Sequence, residues 1–247
     1  MVDLSSYKAL YIKTAQENIA QLKTALQTLS TQGNNPQALE LAHRCAHTLK
    51  GKTNLMGDVT LSALAKTMED IFYEVKAGQK TLSSDMLAVL SAGTQKLEDA
   101  FLQKTFQPNS PENAAQENQN VTSKTATKIL VMEDDVFFQK FYSTKLTEKG
   151  FLVSVGLDGV DGLQKARQLK PDIILLDIIM PNKDGFEVLK ELKQDPNLKD
   201  IPVIVFSSLG QEQDVDKAKG LGALDYVNKS FYDFDLLLSK ITSLLKK

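Results

Sequence analysis

The sequence predicts two domains of different class: an N-terminal all-α four-helix bundle and a C-terminal α/β domain, a (βα)5 doubly wound parallel sheet. Three observations predict it. Apolar residues recur at helical spacing through 1–106, and short Val-, Ile- and Leu-rich runs alternate with amphipathic segments through 128–247. Between them QPNSPENAAQENQNVTSKTAT, residues 107–127, has almost no apolar side chains. Such a stretch cannot bury enough surface to offset its ordering entropy, so it reads as a flexible linker. About 21 polar residues span roughly 25 Å, and the domains are expected to move separately, without forming a fixed unit.

In the first half, residues 5–31 carry Leu10, Ile19, Leu22, Leu26 and Leu29 at three- and four-residue steps with one gap, the stripe of a helix. Asn35 caps the next helix and Pro36 takes its first position. That helix stops at Gly57. A third spans about 58–77 and stops at Gly78, and a fourth runs from about 83 to 105 with Ser83 or Ser84 as cap. Helices joined by short loops pack as an antiparallel bundle. In the second half the strands are Lys128–Met132, Phe151–Val155, Asp172–Leu176, Ile201–Phe206 and Ala223–Val227. Strands alternating with helices make a parallel sheet covered on both faces. Its functional residues gather at the carboxyl ends of the strands.

Composition narrows the class. Lys plus Arg number 29 and Asp plus Glu 31, so no bulk basicity draws the chain to nucleic acid. Cys45 is the single cysteine, which excludes an intrachain disulfide and fits a reducing compartment. The longest apolar runs, such as Ile173-Ile174-Leu175-Leu176, are far short of the roughly 20 residues of a membrane span. The N-terminus, MVDLSSYKAL, is unlike a secretory signal. The expected location is the cytoplasm.

The strand ends carry chemistry. The first ends in Glu133-Asp134-Asp135, the third in Asp177, the fourth in Ser207-Ser208 and the fifth in Asn228-Lys229. Carboxylates from adjacent strand ends suit a hard cation such as Mg²⁺. A metal there could bridge them to a phosphoryl oxygen, while Lys229 and the hydroxyl hold the others.

On these residues the second half resembles the receiver domain of two-component response regulators, a flavodoxin-like fold, over essentially all of 128–247. KILVMEDD is similar to that family's first strand and acidic pocket, PDIILLDIIMPNKDGFEVL to its third strand and following loop, and IPVIVFSS and GALDYVNKSF to its hydroxyl and lysine segments. The resemblance implies Asp177 as phospho-acceptor and Mg²⁺ held by Glu133, Asp134, Asp177 and Ile179. It implies Ser207 and Lys229 as catalytic supports, and Ser207 with Tyr226 as a pair that moves together on phosphorylation. Two positions flanking the acceptor, Ile179 and Leu209, cannot hydrogen-bond an attacking water, so slow hydrolysis is expected. One position departs from the family. Ser230 follows Lys229 where a cis proline is usual; a non-proline cis bond costs roughly 2.5–4 kcal/mol, so the loop is either trans and rearranged or cis and strained.

The helical half holds the only histidines, His43 and His47. At about 100° per residue Leu39, Ala42, Ala46, Leu49 and Thr53 form one stripe, and His47 lies about 120° away from it with His43, Arg44, Lys50, Gly51 and Asn54. His47 is therefore on an exposed face. A zinc site at His43 and His47 is disfavoured, because Cys45 points away, Arg44 and Lys50 are adjacent cations, and no third ligand is evident. His47-Thr48-Leu49-Lys50-Gly51, with Gly57 and the LAKTMED segment, resembles the histidine phosphotransfer (Hpt) domain over 1–106, as in the N-terminal domain of chemotaxis-type histidine kinases. The resemblance implies that His47 carries a phosphoryl group and that Glu69 bonds its Nδ1 side, leaving Nε2 as nucleophile. Lys50 would steady the phosphoryl group, and Gly51 would clear space for a docking partner.

No GxxxxGK or GxGxxG nucleotide loop is present, and one helix follows Lys229. The expectation is therefore neither a kinase nor a transcription factor but a two-component phosphorelay protein. Its receiver would catalyse its own Mg²⁺-dependent phosphorylation and dephosphorylation. Its expected partners are a sensor histidine kinase or other receiver or phosphotransfer proteins, with no nucleic acid. A phosphorylation-controlled adaptor and a phosphate sink are the competing functions.

Overall fold

The computed structural model describes residues 5–105, 127–207, 209, 211–229 and 234–245. After a 3-10 turn at Ser5–Tyr7, four helices follow: α1 Lys8–Gln32, α2 Pro36–Leu55, α3 Val59–Lys76 and α4 Ser84–Thr105. Their ends are those the sequence predicts. The Asn35 side chain accepts from the Ala38 amide at 3.0 Å, and Ser83 is the cap of α4, accepting from Met86 N at 3.2 Å. Gly33, Gly57 and Gly78 turn the chain with positive φ, a region that costs glycine nothing. Ile19, Leu22, Leu29, Ala42, Ala46, Leu49, Phe72, Leu90 and Phe101 fill the bundle core.

The second half has β1 Lys128–Met132, α5 Val136–Glu148, β2 Leu152–Gly156, α6 Gly159–Leu169, β3 Ile173–Leu176, α7 Gly185–Gln194, β4 Val203–Ser207, α8 Glu212–Gly220, β5 Asp225–Asn228 and α9 Phe234–Leu244. All four strand pairings are parallel, in the order β2-β1-β3-β4-β5. Residues of β1 alternate between the faces. Ile129 and Val131 join Phe137, Phe141 and Leu237, whereas Leu130 and Met132 join Leu163, Val188 and Leu189. The chain reverses its direction of winding at β1, so the carboxyl ends of β1 and β3 lie side by side, the place where such sheets bind ligands. β4 starts after Pro202, whose missing amide proton cannot join the ladder, although its carbonyl still accepts from Ile174 N at 3.0 Å.

One expectation is corrected. The sequence reads the two halves as bodies free of each other; in the structure they are packed together. The Tyr7 and Phe141 rings meet edge to face at 5.3 Å between centroids, and Tyr11 lies 5.9 Å from Phe137. Lys52 is fully buried (0% exposed) and pairs with Asp135 at 2.8 Å. The apolar core of the bundle is thereby continuous with one face of the sheet. Helical periodicity detects an apolar face but does not say whether it is covered from its own domain or another. The linker itself lies outside the described residues save Thr127.

Candidate functional site

The site is built from strand ends. β1 delivers Glu133 and Asp134, β3 delivers Asp177, β4 ends at Ser207, and Lys229 follows β5 directly. Carboxylate oxygens of Glu133, Asp134 and Asp177 lie within 4.8 Å of one another. The Lys229 ammonium donates to Asp177 Oδ2 at 2.6 Å and pairs with Glu133. The other oxygen of Asp177 accepts from the amides of Ile178 at 2.6 Å and Ile179 at 3.3 Å. Asp135 does not join this cluster. It caps α5 through the Phe137 and Phe138 amides and faces Lys52 of the bundle.

Three carboxylates share one buried ammonium. Burial, and then the charge of Asp177, push Asp134 up to about 7. Burial raises Glu133 well above the usual carboxylate range despite Lys229. Asp177 goes the other way: burial opposes its charge, but Lys229, His47 and the Ser207 hydroxyl together hold it low. An all-oxygen donor set with surplus negative charge fits a hard divalent cation. Ile179 has no side-chain ligand atom, so only its backbone carbonyl could contribute. Among the described residues no other group brings three ligand atoms together, and His43 and His47 form no such group.

Tyr226 is half-buried, and its hydroxyl donates to the Leu209 carbonyl at 3.0 Å. The Ser207 hydroxyl accepts from Leu209 N at 3.4 Å and bears on both Asp177 and Tyr226. Both expected switch residues thus converge on the loop after β4. Ile179 and Leu209 are buried in one apolar cluster with Met180 and Phe186. The Lys229–Ser230 peptide falls outside the described residues.

On the bundle, His47 lies off the core stripe of α2 as the sequence predicts, yet it is only 2% exposed. The receiver half is docked on the same helix, Arg44 pairing with Asp134 at 3.6 Å and Lys52 with Asp135 at 2.8 Å. Its Nδ1 lies 2.6 Å from Glu69 Oε1, and Lys50 reaches the other Glu69 oxygen at 2.6 Å. Burial works against the Glu69 carboxylate, but His47 and then Lys50 overcome it and hold Glu69 down at about 2. Nε2 of His47 is buried with no hydrogen-bond partner among the described residues. Gly51, on the same helix, is also buried. Burial and the nearby Lys76 push His43 down to about 3, so its imidazole is neutral, and the Lys76 ammonium lies 3.4 Å from its Nδ1. A cavity of about 370 Å³ lies between the halves, lined by His43, Lys50, Glu69, Tyr73, Leu209 and Asn228. The sequence reading missed Lys52 and Asp135 as contacts between the halves. Each looks like an ordinary surface charge until the halves are docked.

The profile of the response regulator receiver domain matches residues 129–242, and that of the Hpt domain matches residues 6–100. The chemotaxis protein CheY of Treponema pallidum is 37% identical over 123 residues, which cover 48% of this chain and 83% of that protein. The chain belongs to the response regulator receiver family, with an Hpt domain in front of the receiver. Response regulator RR06 of Streptococcus pneumoniae is 40% identical over 119 residues, 48% of this chain and 53% of that one. The transcriptional regulator RpaA of Synechocystis is 38% identical over 120 residues, covering 49% of each chain. The chain therefore spans about half the length of RR06 and of RpaA. An Hpt domain and a receiver domain are the components of two-component phosphorelay signalling. Among the described residues no helix is long and apolar enough to cross a membrane.

Proposed function

We propose that the receiver accepts a phosphoryl group on Asp177 and that the Hpt domain carries one on Nε2 of His47. The observation that supports this best is the pairing of two prepared sites: an acidic trio with Lys229 on Glu133 and Asp177, and an imidazole whose Nδ1 is engaged by Glu69 while Nε2 has no partner among the described residues. The acidic residues fit Mg²⁺, which Glu133, Asp134, Asp177 and the Ile179 carbonyl would hold; the ion would neutralise charge on the transferring phosphoryl oxygens.

The remaining work belongs to the chain. Glu69 accepts the Nδ1 proton, so the Nε2 lone pair is the reactive one. When the phosphoryl group leaves for Asp177, the N–P bond breaks, its electron pair returns to Nε2, and a carboxylate oxygen of Asp177 forms the new O–P bond. Nδ1 keeps its proton throughout, donating it in a hydrogen bond to the Glu69 carboxylate, so no proton need move. Lys229, already on Asp177, and the Ser207 hydroxyl are placed to hold the phosphoryl oxygens after transfer.

The test is labelling of the full chain with a small phosphodonor and Mg²⁺. Asp177→Asn is expected to abolish the acid-stable label, and a chelator is expected to do the same in the wild type. Acid-stable label persisting in Asp177→Asn contradicts the assignment.

A further inference from the structure

We propose that the Hpt and receiver domains of one chain are each other's phosphotransfer partners, held in register by two ion pairs at the amino-terminal end of α5. The proposal rests on the function above and names the partner of His47.

The α2 face that carries His47 also carries Arg44 and Lys52, three residues before and five after it, within an arc of about 140° at about 100° per residue. These two cations meet two consecutive carboxylates of the receiver. Arg44 pairs with Asp134 at 3.6 Å and Lys52 with Asp135 at 2.8 Å. The second pair is rigid at both ends. Lys52 also donates to Asn18 of α1 at 2.7 Å, and Asp135 is fixed as the cap of α5. The bundle is thus tied to a point one residue from Asp134 and two from Glu133, inside the reactive site. Tyr7 and Tyr11 of the bundle pack on Phe141 and Phe137 of that same α5.

Docking accounts for the unpartnered imidazole nitrogen. A surface histidine satisfies Nε2 with water; here Nε2 is buried, and burying a polar atom without a partner is costly. A cavity beside Glu69, the partner of Nδ1, is lined from both halves, by His43, Lys50 and Glu69 of the bundle and by Leu209 and Asn228 of the receiver. His47 is 2% exposed and Asp177 4%, so an outside partner reaches neither while the dock is closed. The route left open is transfer between the two residues of one chain, at the high effective concentration that tethering gives. The step is the one balanced above or its reverse, in which the O–P bond at Asp177 breaks, its electron pair stays on the carboxylate, and the Nε2 lone pair forms the N–P bond.

The test uses the full chain, labelled on Asp177 by a small phosphodonor with Mg²⁺ and then freed of donor. Movement of label into the base-stable form on His47 is then timed. The proposal predicts a first-order rate unchanged over about a hundredfold dilution. An equimolar mixture of His47→Gln and Asp177→Asn chains, which can react only between molecules, should be slower by about tenfold or more at low micromolar protein and speed up with concentration. Lys52→Glu should slow the wild-type transfer by about tenfold or more while leaving acid-stable labelling of Asp177 intact, and Lys52→Arg should keep it. A wild-type rate that rises in proportion to concentration, or a mixture as fast as wild type, overturns the proposal. Absence of acid-stable label on Asp177 overturns the assignment of the acceptor as well.

Discussion

Gly185→Ala is expected to abolish acid-stable labelling of the receiver and to destabilise it by about 3 kcal/mol or more. A Cβ at position 185 would sit 2.1 Å from the Asp177 carbonyl oxygen and 2.6 Å from Ile178 Cα. Both are backbone atoms, so no side chain can swing away to make room. Gly185 cannot retreat either. Its amide donates to the Ile178 carbonyl at 2.8 Å, and the capping box of Asp184 and Glu187 fixes the start of α7 around it. The displacement therefore falls on the segment that carries Asp177, where small errors of position are costly to phosphoryl transfer. Urea unfolding and phosphodonor labelling of the full chain check this. Labelling within twofold of wild type would show that the segment tolerates the methyl group.

Glu69→Gln carries the second large effect, and its pH dependence identifies the cause. The carboxylate is held at about 2 against an ordinary value of 4.5, a difference worth about 3 kcal/mol. Its folded-state value is depressed, so the folded chain holds fewer protons than the unfolded one. The stabilisation is present above about pH 4.5 and is lost as pH falls toward about 2. The variant should therefore be less stable than wild type by about 3 kcal/mol at pH 7 and by about 1 kcal/mol near pH 3. A stability difference that stays constant between these pH values would mean that the pairing with His47 and Lys50 is not its source. The same variant removes the acceptor that selects the Nδ1 proton, so base-stable labelling should fall with it.

The fold was legible because each element has its own period. The four helices of the bundle and the five strands of the sheet lie within three residues of the sequence reading, and the shifts have local causes such as the 3-10 turn Ser5–Tyr7 ahead of α1 and Pro202 ahead of β4. The receiver site was legible for a related reason: Glu133, Asp134, Asp177, Ser207 and Lys229 each sit at the end of their own strand, so topology alone gathers them. The dock was not legible. Lys52 falls outside the apolar stripe of α2 and Asp135 looks like one more member of an acidic run. Their pairing depends on how two domains meet, which neither periodicity nor spacing encodes. For the same reason His47, correctly placed off the core stripe, was read as exposed when the receiver covers it. Asp135 was separable from its neighbours in principle, since it precedes Val136-Phe137-Phe138 at the position of a helix cap.

The central claim is that one chain holds two phosphoryl stations, and ³¹P NMR of the full chain after treatment with a small phosphodonor and Mg²⁺ tests it most directly. Two resonances are predicted: an acid-stable acyl phosphate that is absent from Asp177→Asn, and a base-stable phosphohistidine that is absent from His47→Gln. A single resonance that survives both substitutions would contradict the account.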